Sequence, residues 1–184
     1  MIKILKIEPL VDPKYVKARK VFFERDGVKR DWEVVETHDS IAVLLYHKTK
    51  KSFVLVKQFR PAVYFRNDDG MTVELCAGLV DKDKSLKQIT KEEILEECGY
   101  DVPLERIEKI TSFYTAVGFA GGLQTLYFAE IDENFQVNNG GGIEDEQIEV
   151  VYLKIEDAKE FMMDENIAKT PGLMYAFMWY FQFK

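Results

Sequence analysis

Residues 78–100 read GLVDKDKSLKQITKEEILEECGY, and this stretch decides the fold. It follows residues 71–76, which predict a strand, and Ala77-Gly78 is expected to break that strand. Ser85 is a typical N-cap residue, and the apolar positions after it approximate helical spacing up to Gly99, which occupies the C′ position. The stretch therefore predicts a strand, a loop and a helix of about three turns.

Four glutamates lie on this predicted helix, at positions 92, 93, 96 and 97. Glu93 and Glu97 are four residues apart, so they share one face of the helix. Like charges at this spacing repel each other, and the pair gains stability only when a cation lies between them. Oxygen ligands suit Mg²⁺ or Mn²⁺ better than zinc. A solvated acidic face is the alternative interpretation of the cluster.

The chain on either side of this stretch is divided into short strands and a few helices. Strands are predicted before it at 2–7, 19–25, 31–36, 41–46 and 53–59, and after it at 106–114, 124–131 and 147–155. Helices are predicted at 156–163 and 173–181. No linker, repeat or low-complexity tract divides the 184 residues, so we expect one α/β domain with a β-rich amino-terminal extension.

Composition narrows the classes of function. With 25 basic and 32 acidic residues the formal charge is −7, which disfavours nucleic acid and anionic membranes as partners. The amino terminus alternates apolar and charged residues, and no apolar stretch approaches the length of a membrane span, so we expect a cytoplasmic protein. Cys76 and Cys98 are the only cysteines, and neither has a partner at metal-ligand spacing, so zinc sites and disulfides have little support.

The glutamates also belong to a longer pattern of fixed spacing. Gly78, then Lys84, then the run from Glu92 to Tyr100 resembles the signature of the Nudix hydrolases: glycine, five residues, glutamate, seven residues, then Arg-Glu-aliphatic-any-Glu-Glu-any-Gly-aliphatic. Lys84 replaces the first glutamate of that signature, and Glu92 replaces its arginine. Because the two charges are exchanged rather than lost, we expect Lys84 and Glu92 to be in contact. The resemblance implies the Nudix fold, an α/β/α sandwich with a mixed β-sheet, over residues 39–184, with residues 1–38 as the extension.

The resemblance covers most of the chain and is nearest to the nucleoside diphosphate sugar pyrophosphatases of that family. It rests further on segments 37–40, 55–64, 72–81 and 140–142. It implies hydrolysis of a nucleoside diphosphate sugar, typically UDP-glucose, to a nucleoside monophosphate and a sugar 1-phosphate. Related ADP-ribose pyrophosphatases usually carry Ser-Pro-Gly where this chain has Ala116-Val117-Gly118, so ADP-ribose is the alternative substrate. A catalytically silent Nudix-like binding module is a further alternative, which the two replacements permit.

The resemblance also implies a metal site and a catalytic base. The carbonyl of Ala77 and the carboxylates of Glu93, Glu96 and Glu97 would hold Mg²⁺, or Mn²⁺, and Glu96 counts also among the catalytic residues. The base is expected in a late loop that follows three glycines, which are expected to let the loop move. Its candidates are Glu144 first and Glu146 second; a solvated acidic loop is the alternative.

Three residues are expected to bind substrate. Arg60 follows an apolar strand and could contact phosphate through two nitrogens, the alternative being a surface ion pair. Arg30 and Trp32 lie in the extension, whose strands in similar proteins are exchanged between subunits and complete the partner's pocket. We therefore expect a homodimer. Trp32 could stack on a nucleobase, although packing within the dimer would explain it equally well.

Overall fold

A seven-stranded mixed β-sheet with helices on both faces forms the body of the protein in the computed structural model, which describes residues 2–13, 16–143 and 146–184. The strands are β1 (Lys17–Arg25), β2 (Val28–Glu36), β3 (Ser40–His47), β4 (Ser52–Phe59), β5 (Met71–Glu74), β6 (Cys76–Leu79), β7 (Glu108–Thr115), β8 (Gly122–Ile131) and β9 (Glu149–Lys154). The helices are α1 (Pro61–Asn67), α2 (Leu86–Glu93), α3 (Ala158–Met163) and α4 (Pro171–Phe183). A π-helical turn, Ile94–Cys98, continues α2.

The central strand, β3, organises the sheet. One edge of β3 pairs in parallel with β8, which continues to β7. The other edge is shared, because β6 pairs with the first half of β3 and β4 pairs with its last three residues. Beyond that point β5 takes the place of β3 and pairs with residues 56–59 of β4, while β9 pairs with the opposite edge of β4 over residues 52–57. The divergence of β4 and β6 opens the edge of the sheet where the candidate site lies.

Successive side chains of β3 point to opposite faces of the sheet and pack into two separate hydrophobic cores. Ile41, Val43 and Leu45 pack towards α2, whereas Ala42 and Leu44 pack towards α3 and α4. A strand buried on both faces reads as a continuous apolar run, which is what the sequence shows at 41–45. The expectation of an α/β domain with a mixed sheet is confirmed.

The amino-terminal extension forms a hairpin, β1–β2, in a sheet of its own. Val35 N–H donates to Phe119 O at 2.7 Å, which attaches the hairpin to the loop between β7 and β8. Large apolar side chains on both faces of the hairpin are exposed, among them Phe22 and Trp32. The predicted strand at 2–7 is wrong: these residues form no strand, because alternation alone cannot hold an extended segment that has no strand edge to pair with.

Two further expectations differ from the structure around the decisive stretch. Ala77 and Gly78 do not end a strand, because the break falls at Leu75 and the residues after it form β6 against β3. Helix α1 was not expected from the sequence. It is only seven residues long, and its one sequence signal is the proline at its first position. No helix among the described residues has the length and apolar character needed to span a membrane.

Candidate functional site

The end of α2 lies against β6 with almost no space between them. Ser85 begins the helix with a capping box in which its side chain and that of Gln88 each bond the other's backbone N–H. At the far end, the carboxyl group of Glu93 lies over Gly78, where an added Cβ would be only 2.3 Å from Glu93 Cδ. Glycine at position 78 is therefore required for the carboxylate of Glu93 to lie against the strand.

The π-helical turn brings Glu97 to the same strand. Glu97 Oε2 accepts a hydrogen bond from the backbone N–H of Ala77 at 3.0 Å, and its side chain is buried. Burial raises the pKa of the Glu97 carboxyl to about 7, although the bonds from Ala77 and Cys76 oppose the shift. Burial and the nearby carboxylate of Glu96 raise the pKa of Glu93 to about 7 as well. Two partly desolvated carboxylates on one helix face favour a bound cation.

These carboxylates line a cleft of about 520 Å³ at the opened edge of the sheet. Its lining residues are Ser40, Gln58, Arg60, Glu74, Ala77, Gly78, Leu79, Asp81, Lys82, Glu93, Glu96, Glu97, Gln124, Ile143 and Glu146. Most of the site residues expected from the sequence thus meet in one place: Ala77, Arg60, Glu93, Glu96, Glu97 and Glu146. The signature pattern did not point to Gln58, Glu74 or Gln124, and only their places near strand ends could have suggested them.

Arg60 is held by a bidentate ion pair. Its Nε and Nη2 donate to the two carboxylate oxygens of Glu74, both at 2.8 Å, and Thr72 Oγ1 donates to Glu74 as well. Although burial alone would raise it, the pKa of Glu74 stays below its usual value because Arg60 and Thr72 both donate to the carboxylate. Arg60 therefore does form an ion pair, as the alternative interpretation expected, but its partner Glu74 is buried and not on the surface. The pair holds the guanidinium at the cleft.

The glycine loop at 140–142 is bonded to the backbone of the same helical turn. Gly141 N–H donates to Glu97 O at 2.9 Å, and Gly142 N–H donates to Glu96 O at 3.0 Å. All three glycines have positive φ, and a Cβ on Gly140 would be 2.2 Å from Glu97 O. The glycines therefore allow a close backbone approach to the carboxylate-bearing turn, a purpose that the sequence alone did not indicate.

The structure describes only one of the two candidate bases, Glu146. Glu146 lines the cleft, where its Oε2 accepts from Ile143 N–H at 3.1 Å. The charge of Glu146 also contributes to the raised pKa values of both Glu93 and Glu97. Glu144 lies outside the described residues.

Arg30 and Trp32 lie on β2, and the cleft lining in the described part of the chain includes neither. Arg30 is opposite Phe23 in the hairpin. Trp32 Nε1–H donates to Gly118 O at 2.7 Å, and more than half of the side chain is exposed. Within one chain Trp32 thus contacts the β7–β8 loop instead of the acidic cleft.

The donor set of the cleft fits a hard divalent cation. Glu93, Glu96 and Glu97 present carboxylate oxygens, which suit Mg²⁺ or Mn²⁺. The cation nearest to Glu93 is Lys82, whose Nζ is 4.0 Å from Oε1, at the limit of an ion pair. Within 2–13, 16–143 and 146–184, however, no three acidic, histidine or cysteine side chains converge as a ready-formed metal site.

Comparisons with known proteins find similar pyrophosphatases. The chain is 34% identical over 196 aligned positions to the uridine diphosphate glucose pyrophosphatase NUDT14 of Mus musculus, with 91% of this chain and 88% of that protein covered. The Bos taurus protein of the same name is 33% identical, with the same coverage. A GDP-mannose pyrophosphatase of Cronobacter sakazakii is 40% identical over 159 positions, covering 83% of this chain and 82% of that protein. No protein-family model matches the chain.

Proposed function

Since the chain belongs to the Nudix hydrolase family, we propose that it hydrolyses the pyrophosphate bond of a nucleoside diphosphate sugar to a nucleoside monophosphate and a sugar 1-phosphate. Relatives named for UDP-glucose and for GDP-mannose support this substrate class. We assign residues 39–184 to a Nudix-fold catalytic domain and residues 1–38 to an extension. The mixed sheet between two helical layers supports that assignment.

The observation that carries the proposal is the convergence of opposite chemistries in one cleft. Three glutamates of the α2 region and Glu146 lie on one side, and the guanidinium of Arg60 lies in the same lining. A diphosphate needs both, because its oxygens require cationic partners while a water molecule requires activation. A solvated acidic face would not enclose its carboxylates or raise their pKa values, as happens at Glu93 and Glu97.

Each residue has a proposed part in the reaction. Glu93, Glu96 and Glu97, with the carbonyl of Ala77, would hold Mg²⁺ or Mn²⁺, which when bound neutralises phosphate oxygens and lowers the pKa of water. Arg60 orients the diphosphate through the guanidinium hydrogens that Glu74 does not use. The hydrogen bond from Ala77 N–H to Glu97 holds β6 and the π-helical turn in a fixed relative position while substrate binds.

A glutamate of the late loop is the proposed base that takes the proton from the attacking water. Glu144 is the first candidate and Glu146 the second. The glycine loop anchors this segment to the carbonyls of Glu96 and Glu97, which supports a base from this part of the chain. Comparing Glu144→Gln with Glu146→Gln separates the candidates. Loss of the true base lowers kcat, and it removes the acidic limb from the plot of kcat against pH.

One assay tests the proposed function. Purified protein with Mg²⁺ is incubated with UDP-glucose, GDP-mannose, ADP-ribose and a diadenosine polyphosphate, and the products are separated by chromatography. We expect a nucleoside monophosphate and a sugar 1-phosphate from the nucleotide sugars, at a higher kcat/KM than for ADP-ribose. Preference for ADP-ribose would instead select the alternative substrate, and binding without turnover would select the silent binding module.

We propose in addition that the protein is a homodimer in which the β1–β2 hairpin contacts the partner. A two-stranded hairpin has no core of its own, and Phe22 and Trp32 expose large apolar surfaces on its two faces. In the partner's pocket, Arg30 and Trp32 would contact the nucleotide. Light scattering at the assay concentration is expected to give twice the mass of the chain, and a fully active monomer would refute the proposal.

A further inference from the structure

A second cavity, of about 340 Å³, adjoins the acidic cleft on the side of the sheet that faces α4. It is lined by Ala42 and Leu75, by the end of β7 and by residues 170–172 at the start of α4. Glu74, Ala77 and Gln124 line both this cavity and the cleft. The two spaces therefore meet at these three residues.

The chemistry of the cavity suits a neutral ring that carries hydroxyl groups. Phe113 and the aliphatic residues of the lining provide apolar surface, and the lining within the described residues contains no lysine or arginine. Its one acidic residue, Glu74, is already paired with Arg60. Polar groups also line it. Gln124 presents an amide, and the hydroxyl of Thr170 accepts from Leu173 N–H through a lone pair, which leaves its hydrogen to donate.

We propose that this cavity holds the glycosyl ring of the substrate. The inference rests on the proposed function, which puts the diphosphate in the acidic cleft. The anomeric oxygen of a nucleotide sugar is bonded directly to the second phosphorus, whereas the nucleobase is separated from the first phosphorus by a whole ribose. Because Ala77 and Glu74 line both spaces, the ring that enters the cavity is the one attached directly to phosphate.

Gly172 is the position from which the cavity can be filled. It is the second residue of α4, and an added Cβ would lie 2.9 Å from Gln124 Oε1 and 3.3 Å from Phe113 Cζ. Both contacts are side-chain ends that line the cavity, so a side chain at 172 enters it without meeting backbone. Alanine is also more favourable than glycine in a helix, so Gly172→Ala should fold. Met178→Leu, at an exposed position of the same helix that lines neither the cavity nor the cleft, is the matched control.

The experiment compares kcat/KM for substrates that differ only in the group on the second phosphate. Wild type, Gly172→Ala, Gly172→Leu and Met178→Leu are assayed with UDP-glucose, GDP-glucose and the methyl esters of UDP and GDP, in which methyl replaces glucose. We expect Gly172→Leu to lower kcat/KM at least about tenfold for both glucose compounds and by less than about twofold for both methyl esters. Gly172→Ala should fall between, and the control should match wild type.

Other outcomes overturn the proposal. Equal loss for glucose and methyl compounds means that the substitution damages the cleft and not a sugar subsite. If the loss of kcat/KM differs between the UDP and GDP methyl esters, it depends on the nucleobase, and the cavity would be assigned to the nucleoside. Unchanged kcat/KM for every substrate would show that the cavity is not used.

A second measurement does not depend on turnover, so it also applies if wild type hydrolyses none of these compounds and the proposed function fails. Saturation-transfer NMR with UDP-glucose in a metal chelator reports which ligand protons contact the protein. We expect saturation of the glucose ring protons by wild type and its loss in Gly172→Leu. Saturation confined to uracil and ribose would overturn the proposal.

Discussion

Lys84 Nζ donates a hydrogen bond to Glu92 Oε1 at 2.6 Å, so two charged positions at which this chain departs from the Nudix signature contact each other. The contact expected from their exchanged charges is confirmed. The hydrogen bond from Lys84 lowers the pKa of the Glu92 carboxyl below its usual value. A second lysine, Lys82, lies 3.7 Å from Glu92 and reaches Glu93 as well. The loop before α2 therefore holds the helix end that presents Glu93.

Exchanging the charges of this pair tests whether the contact matters. We expect Lys84→Glu and Glu92→Arg each to lower metal affinity and kcat modestly, because each leaves two like charges together beside Glu93. The double exchange should restore both values, with a coupling energy under about 1 kcal/mol, as is usual for exposed pairs. Strictly additive effects in the double-mutant cycle would show that the two residues act independently.

Glu97→Gln is expected to abolish metal-dependent hydrolysis while leaving the fold intact. The amide oxygen of glutamine can still accept from Ala77 N–H, but the negative charge that a cation needs is lost. We expect kcat/KM to fall by at least about 100-fold at saturating Mg²⁺, with an unchanged circular dichroism spectrum. Glu105→Gln, at an exposed glutamate, is the matched control. Near-normal turnover in Glu97→Gln would remove it from the metal site.

Metal affinity should rise with pH around neutrality. Glu93 and Glu97 have pKa values of about 7 in the folded chain and 4.5 in the unfolded one, so the folded state binds more protons between these values. The stability of the metal-free protein therefore falls as pH rises from about 4.5 to 7, and levels off above that. Thermal melts in chelator and Mg²⁺ titrations from pH 6 to 8 measure both trends. Glu97→Gln should weaken the pH dependence, and a flat profile in wild type would contradict the raised pKa values.

Gly140→Ala is expected to harm both stability and activity. Its φ of +66° disfavours any side chain, and the added Cβ would overlap Glu97 O. The loop would have to move and break its bond from Gly141 to Glu97, so we expect a loss of about 1–3 kcal/mol in the free energy of unfolding. Urea unfolding and kcat measure the two effects. Gly27→Ala makes the same chemical change at a similar φ of +76° but in open space, so it should cost less stability and leave kcat unchanged.

Residues close in sequence were the predictable part of this site. The capping residue Ser85, the spacing of the glutamates and the apolar run of β3 are local patterns, and the structure contains the strand and helix that they predict. The partner of Arg60 was not predictable in this way. Glu74 is fourteen residues away, and the contact depends on how β4 and β5 pair.

Glycine gave the least certain predictions. Gly78 was expected to end a strand and instead lies inside β6, because nothing in the sequence shows that Glu93 will pack over it. Likewise the run at 140–142 predicted freedom for the loop that follows it, and the sequence did not show that its backbone bonds the turn that carries Glu96 and Glu97. A glycine in a sequence indicates that the backbone there is unrestricted. Only the folded structure shows which neighbouring group packs against it.

The pairing of Arg60 with Glu74 also governs how substrate first reaches the cleft. With that guanidinium neutralised, the remaining lining is dominated by carboxylates, against a single lysine among its described residues. An incoming dianion therefore meets a repulsive field until the carboxylates are neutralised. For the metal-free protein, added monovalent salt should speed the encounter instead of slowing it, which is the reverse of the usual behaviour of enzymes that collect anionic ligands.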